Sequence, residues 1–206
     1  MSHQDDHLPV ALRATRALED SPALDPVADR VRPVLADLLE RRPALAGLLH
    51  GRPLGHALHP LMTDAPLGLW TCAAVLDLTG GKSARPHADR LLGLGILAAL
   101  PTSLTGAADW AVSGRRTRRV GVAHAALNSA GLVLYSGSWL LRRSGSRRLG
   151  VAASLLATGL VGASGYLGGH MSFRLGAPPR GASGPVTTRP VPDADEVETD
   201  HGTDTA

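Results

Sequence analysis

Little in this chain supports catalysis on a soluble substrate. Cys72 is its single cysteine. One chain therefore holds no disulfide framework, no CxxC pair, no CxxCH haem attachment and no thiolate set for an iron–sulfur cluster. A lone Cys in an apolar run is a small packing residue. No glycine-rich phosphate loop occurs, and no nucleophile, base and orienting group form a recognisable set. The first residues carry Asp5 and Asp6, not a basic segment leading into an apolar one, so no cleavable signal peptide is expected. The net charge of +3 resides in short basic segments. They come without a recognition helix or an aromatic–basic platform, so they imply no nucleic-acid partner.

The most informative shortage is of charge in the middle of the chain. Residues Leu149 to Phe173, Val120 to Leu141 and Leu91 to Ala108 contain no Asp, Glu, Lys or Arg. A fourth run, Ala65 to Leu76, continues past Asp77 to Gly81. A helix of about 20 apolar residues crosses a bilayer core of roughly 30 Å. Soluble surface helices keep a polar face, and these runs have almost none. The expected fold is all-α: a four-helix transmembrane bundle with spans at about 63–81, 90–110, 120–141 and 149–171. Residues 51–176 form that membrane domain, and the lipid bilayer is its first partner.

Glycine and alanine are abundant within the runs. Gly165/Gly169, Ala153/Ala157 and Gly159/Ala163 repeat a small-xxx-small spacing that suits close helix packing. Trp110, Trp139 and Phe173 stand near run ends as interfacial anchors, whereas Trp70 lies deeper. Residues 1–50 read as an amphipathic helical arm, with Leu18, Leu24, Val27, Val31, Val34, Leu35, Leu38 and Leu39 at three- and four-residue steps. Asp25 then Pro26 reads as an N-cap and first-turn proline, and Pro33 and Pro43 as breaks or bends. Residues 177–206 are rich in Gly, Pro, Thr and acids, which cannot offset chain entropy by burial, so a disordered tail is expected.

Four spans place both termini on one side of a cell membrane. Seven basic residues flank the runs on that side (Arg52, Arg115, Arg116, Arg118, Arg119, Arg174, Arg180). Seven flank them on the other (Lys82, Arg85, Arg90, Arg142, Arg143, Arg147, Arg148). The positive-inside rule returns a tie. The two untargeted tails tip the expectation toward cytoplasmic termini.

The same topology brings His56, His59, His124 and His170 to the face that carries the termini, with Asp64 and Asp109. Imidazoles on different helices of a bundle can ligate a b-type haem, and three His with a carboxylate suit a transition metal. His56 and His59 are spaced to share one helical face, with Asp64 as a further metal ligand. Asp109, Asn128 and Tyr166 stand as supporting partners. The same residues also read as helix caps and cross-links at a membrane interface, and Thr63-Asp64 before Pro66 reads as a helix start.

Several motifs resemble a known family. Gly51-Arg-Pro-Leu-Gly-His-Ala-Leu-His-Pro-Leu-Met-Thr-Asp-Ala-Pro-Leu-Gly-Leu-Trp70 is similar to the signature of the bacterial membrane family called domain of unknown function 2231. Val75-Leu-Asp77, Ala107-Ala-Asp-Trp110, Arg119-Val-Gly-Val-Ala-His124 with Asn128, and Tyr166-Leu-Gly-Gly-His170 extend the resemblance over about 50–176. Ala57 departs from it, since the family usually has Pro there. Some relatives carry a Rieske-type iron–sulfur domain or cytochrome-like modules, which this cysteine-poor chain is not expected to carry. The resemblance implies a redox-associated membrane module working with a separate iron–sulfur or cytochrome electron carrier. A scaffold without a cofactor is the alternative.

Overall fold

The computed structural model describes residues 9–177. The described residues form seven α-helices: α1 (Val10–Glu19), α2 (Asp25–Arg41), α3 (Pro43–Leu49), α4 (Leu58–Thr79), α5 (Gly81–Ala111), α6 (Arg115–Arg143) and α7 (Arg147–Phe173). Short 3-10 turns at Pro22–Leu24 and Arg52–Leu54 complete the order. The all-α class is as expected. The tail expected to be disordered lies, from residue 178 on, outside the described residues.

Three helices, α4, α5 and α7, are long and apolar enough to cross a membrane. The sequence expectation counted a fourth, in the segment that forms α6. At 29 residues α6 has the length. Its apolar run, however, is diluted by His124, Asn128, Ser129, Tyr135, Ser136 and Ser138. The three apolar windows bury only 17% (α4), 33% (α5) and 28% (α7) of their residues inside the protein. Leu67, Leu78, Leu97, Leu104 and Leu156 are exposed. A soluble bundle would turn such a surface inward; here hydrocarbon must cover it.

The helices pack as two hairpins, α4 with α5 and α6 with α7, which meet through α5–α6 and α4–α7 contacts. The core between them holds Trp70, Ala73, Leu92, Ala99, Tyr135, Ala157 and Val161. Trp70 stacks on Tyr135 with centroids 4.0 Å apart. Gly95 makes this possible, because a Cβ there would lie 2.4 Å from the indole Nε1 of Trp70. Tyr135 in turn shares a 3.0 Å hydroxyl bond with Thr158. The small-residue expectation for α7 holds at Ala157, which is fully buried, but not at the glycines. Gly159 and Gly165 have no neighbouring side chain within reach, and Gly169 meets only Phe173 of its own helix. The packed face comprises Gly150, Ser154, Ala157, Val161, Ser164, Leu167 and His170.

Several boundaries also differ from the sequence expectation. α4 starts at Leu58, so Pro66 lies inside it and Thr63-Asp64 does not open it. The α4–α5 connection is the single residue Gly80, followed by Gly81 at φ +65°. Residues 81–90 are therefore the first turns of α5, not a loop. Their charges keep them out of hydrocarbon but do not end a helix. Asp25 makes no capping bond; it begins α2, and the helix continues through Pro33 to Arg41. Trp110 is not a free anchor, since its Nε1–H donates to the Arg118 carbonyl at 3.0 Å and its ring lies against Gly121.

Candidate functional site

One end of the bundle carries the start of α4, the end of α5, the start of α6 and the end of α7. The arm packs here, through α1 on α6 and through α2 and α3 on α5. Leu39 and Ala46 of the arm cluster with Ala108 and Ala111 of α5. Polar connections complete the junction, among them an Arg115–Asp25 bond at 2.7 Å. His170, in the last turn of α7, donates from Nε2 to Glu19 Oε1 at 2.6 Å, and both side chains are buried. His50, which ends α3, donates from Nδ1 to Asp109 Oδ1 at 2.9 Å. Arg119 donates to Asp25 at 2.7 and 2.8 Å and to the Glu19 carbonyl at 2.8 Å. Arg32 donates from Nε to the Ala111 carbonyl at 3.0 Å. Bonds from Arg119, then Arg115, hold the Asp25 carboxyl well below the usual carboxylate range.

Two further imidazoles lie within the bundle. His59 donates from Nδ1 to the Thr102 carbonyl at 3.0 Å, with Thr105 Oγ1 at 3.2 Å. Gly106 leaves room for its ring, where a Cβ would approach to 2.7 Å. His124 donates from Nδ1 to the Ser164 carbonyl at 2.8 Å and accepts from the Asn128 amide at Nε2, 3.0 Å away. Ser164 answers with its own hydroxyl to the His124 carbonyl at 3.0 Å. Both ring nitrogens of His124 are thus engaged, and the tautomer with Nδ1–H is selected.

This geometry departs from the ligand set read from the sequence. Among the described residues no three His, Cys, Asp or Glu side chains are grouped to hold a metal ion. The topology returns the histidines toward one end, but each ring turns to its own partner. His56 is exposed, and its ring bonds the Ala57 carbonyl at 3.3 Å. It lies outside α4, beyond the extended residue Ala57, so it shares no helical face with His59. Asp64 and Tyr166 are exposed. Asn128 bonds His124 within one helix, outside any group of metal ligands among the described residues. Asp109 is buried, but it serves His50.

Sequence reasoning missed His50 and Glu19. Glu19 had a signal, since it shares the buried face of α1 with Leu12 and Thr15 at helical spacing. A second polar centre, at the opposite end, was also missed. Arg142 donates to Asp77 at 2.6 and 3.1 Å and to Asp89 at 3.0 Å. Arg147 donates to Asp77 at 2.7 Å and to Asp89 at 2.9 Å. The side chains of Arg142 and Asp77 are only 1% and 2% exposed. Ser138 and Ser154 flank Arg142 at 3.1 and 2.9 Å. The signal was Asp77 itself, an acid within an apolar run, which requires a cation.

A family model described as predicted membrane protein (DUF2231) matches residues 55–178. Neither a curated protein nor a solved structure matches the chain. The matched segment holds His59, Asp109, His124, His170 and the whole Asp77–Arg142 network. The arm residues Glu19, Asp25 and His50 precede it.

Proposed function

The chain belongs to the DUF2231 family of membrane proteins, and from that premise we propose that it is a four-span membrane scaffold whose N-terminal arm is clamped as a cap on one end of the bundle. The observation that carries this is the buried His170–Glu19 bond, which joins residues 151 positions apart at 2.6 Å. Groups buried in such a bond leave an unpaired partner when either is removed, which makes the clamp specific as well as stabilising. The fourth span is α6. It runs along α7 and turns its buried polar side chains, Tyr135 and Ser138, toward the bundle. A helix whose polar residues face protein can cross hydrocarbon with a less apolar composition. The arm also keeps Val27, Val31, Val34 and Leu38 exposed along α2.

The imidazoles act here as cross-links. A haem or metal centre on His56, His59, His124 and His170, served by a separate electron carrier, requires His124 to leave Asn128 or Ser164 and His170 to leave Glu19. The purified full chain separates the two readings. The scaffold predicts no Soret band and no stoichiometric metal, and a cap released to protease by Glu19→Ala. A chromophore or bound metal abolished by His124→Ala or His170→Ala, and kept by His87→Ala, would replace it with the redox reading.

A further inference from the structure

At the end of the bundle opposite the cap, a cleft of about 370 Å³ opens between the start of α5 and the start of α7. Its lining includes Lys82, Arg85, Arg147, Arg148, Asp77 and Val151. Arg147 is committed, because Arg142 and Arg147 balance Asp77 and Asp89 in the network described above. Lys82, Arg85 and Arg148 have no acid to answer them: among the described residues none of the three makes a hydrogen bond or an ion pair. Three uncompensated cations therefore share one cleft.

The backbone adds to this field. α5 and α7 both begin at the cleft, and neither N-terminus has a side-chain cap. The first-turn amides of a helix leave N–H groups without intrahelical partners and carry partial positive charge, so they favour an anion. The surroundings specify the rest of the ligand. Leu78 and Leu149, on the helix ends beside the cleft, are 67% and 64% exposed, and Val151 lines the cleft. The position is thus polar and cationic toward the membrane surface and apolar toward the bilayer. A free anion would use only the first property.

We propose that this cleft binds the phosphodiester headgroup of an anionic phospholipid, with Lys82, Arg85 and Arg148 as its ligands and the acyl chains lying along Leu78 and Leu149. Basic pockets between membrane helices recognise such headgroups through this combination of charge and depth. The site is independent of the cap and of any cofactor.

The test uses the full chain, delipidated in neutral detergent. Phosphatidylglycerol, phosphatidylcholine and inorganic phosphate are added separately, and bound lipid and melting temperature are read. Phosphatidylglycerol should bind and raise the melting temperature, while the other two at equal concentration should not. The double variant Arg85→Gln/Arg148→Gln should bind phosphatidylglycerol about 25-fold more weakly, at about fivefold per cation. The charge-matched Arg13→Gln/Arg42→Gln, on the arm, should bind like the parent. Equal response to the two lipids in the unaltered protein overturns the site, whatever the variants do. An equal response to inorganic phosphate overturns the lipid assignment, and an equal loss in the arm variant reduces the effect to net charge.

Discussion

His170 Nε2 lies 2.6 Å from Glu19 Oε1, so the last turn of the last membrane helix is fastened to the end of the first helix of the arm. Arg119 binds the carbonyl of the same Glu19 at 2.8 Å, which brings α6 into the same junction. The arm is therefore held by α6 and α7 as well as by its apolar contacts on α5. Severing one polar link should loosen the cap without unfolding the bundle.

Glu19→Ala should lower stability by about 1–3 kcal/mol, because it leaves His170 Nε2 buried without its acceptor. His170→Ala should cost a similar amount, and the double variant less than the sum, with a coupling of about 0.5–3 kcal/mol. Thermal melting in detergent, with limited proteolysis of the arm, gives both quantities. Strict additivity of the two changes would mean that the bond contributes nothing of its own.

The network at the other end makes a larger claim. Asp77→Asn or Arg142→Gln leaves a charge at a site where both side chains are nearly inaccessible, a loss of about 3–5 kcal/mol. Arg147→Gln should cost less, because its side chain is 20% exposed and water compensates. Replacing Asp77 and Arg142 together with apolar residues of similar volume should recover most of the loss. If Arg147→Gln proves the most damaging of the single changes, the ranking by burial fails.

The membrane character was legible because it is a property of composition, and α4, α5 and α7 were found on that basis. Helix ends were less legible. Lys82, Arg85 and Arg90 fall between two apolar runs, yet Lys and Arg are good helix formers and α5 simply extends beyond hydrocarbon. Asp77 announced the need for a cation but not which one, since Arg142 is 65 residues away and only packing selects it from its basic neighbours. The histidines show the same limit. Antiparallel topology sets which end of the bundle a residue occupies, but the direction of an imidazole depends on its rotamer. Ser164, Thr102 and Glu19 claim those rings through carbonyls and acids to which no sequence motif points.

Acid should loosen the arm through Asp25. Its folded pKa lies below the unfolded value of about 3.9 because Arg119 and Arg115 hold the charged form. The contribution is therefore fully present above the unfolded value and is lost as pH falls through the folded one. Asp25→Asn should melt below the parent near pH 6, and the gap should shrink steadily below about pH 4. Melting curves across that range in a fixed detergent decide it. A gap that stays constant down to pH 2 would show that the carboxylate charge is not what matters.

The crossing of α6 can be settled with single cysteines in a Cys72→Ser background. Asp20, Ser83 and Ser144 are exposed and lie on the arm, the start of α5 and the turn after α6. If α4, α5 and α6 all cross, Ser83→Cys and Ser144→Cys share one side and Asp20→Cys lies on the other. A membrane-impermeant maleimide applied to intact cells should then label either the first two or only the third. If α6 did not cross, position 144 would stay with position 20. That arrangement would strand Arg142 on the cap side, away from Asp77, although the two are joined at 2.6 Å. The labelling pattern and the Asp77–Arg142 bond therefore stand or fall together. Labelling of Ser144→Cys in company with Asp20→Cys would refute the four-span reading and the packing of α6 against α4 and α5.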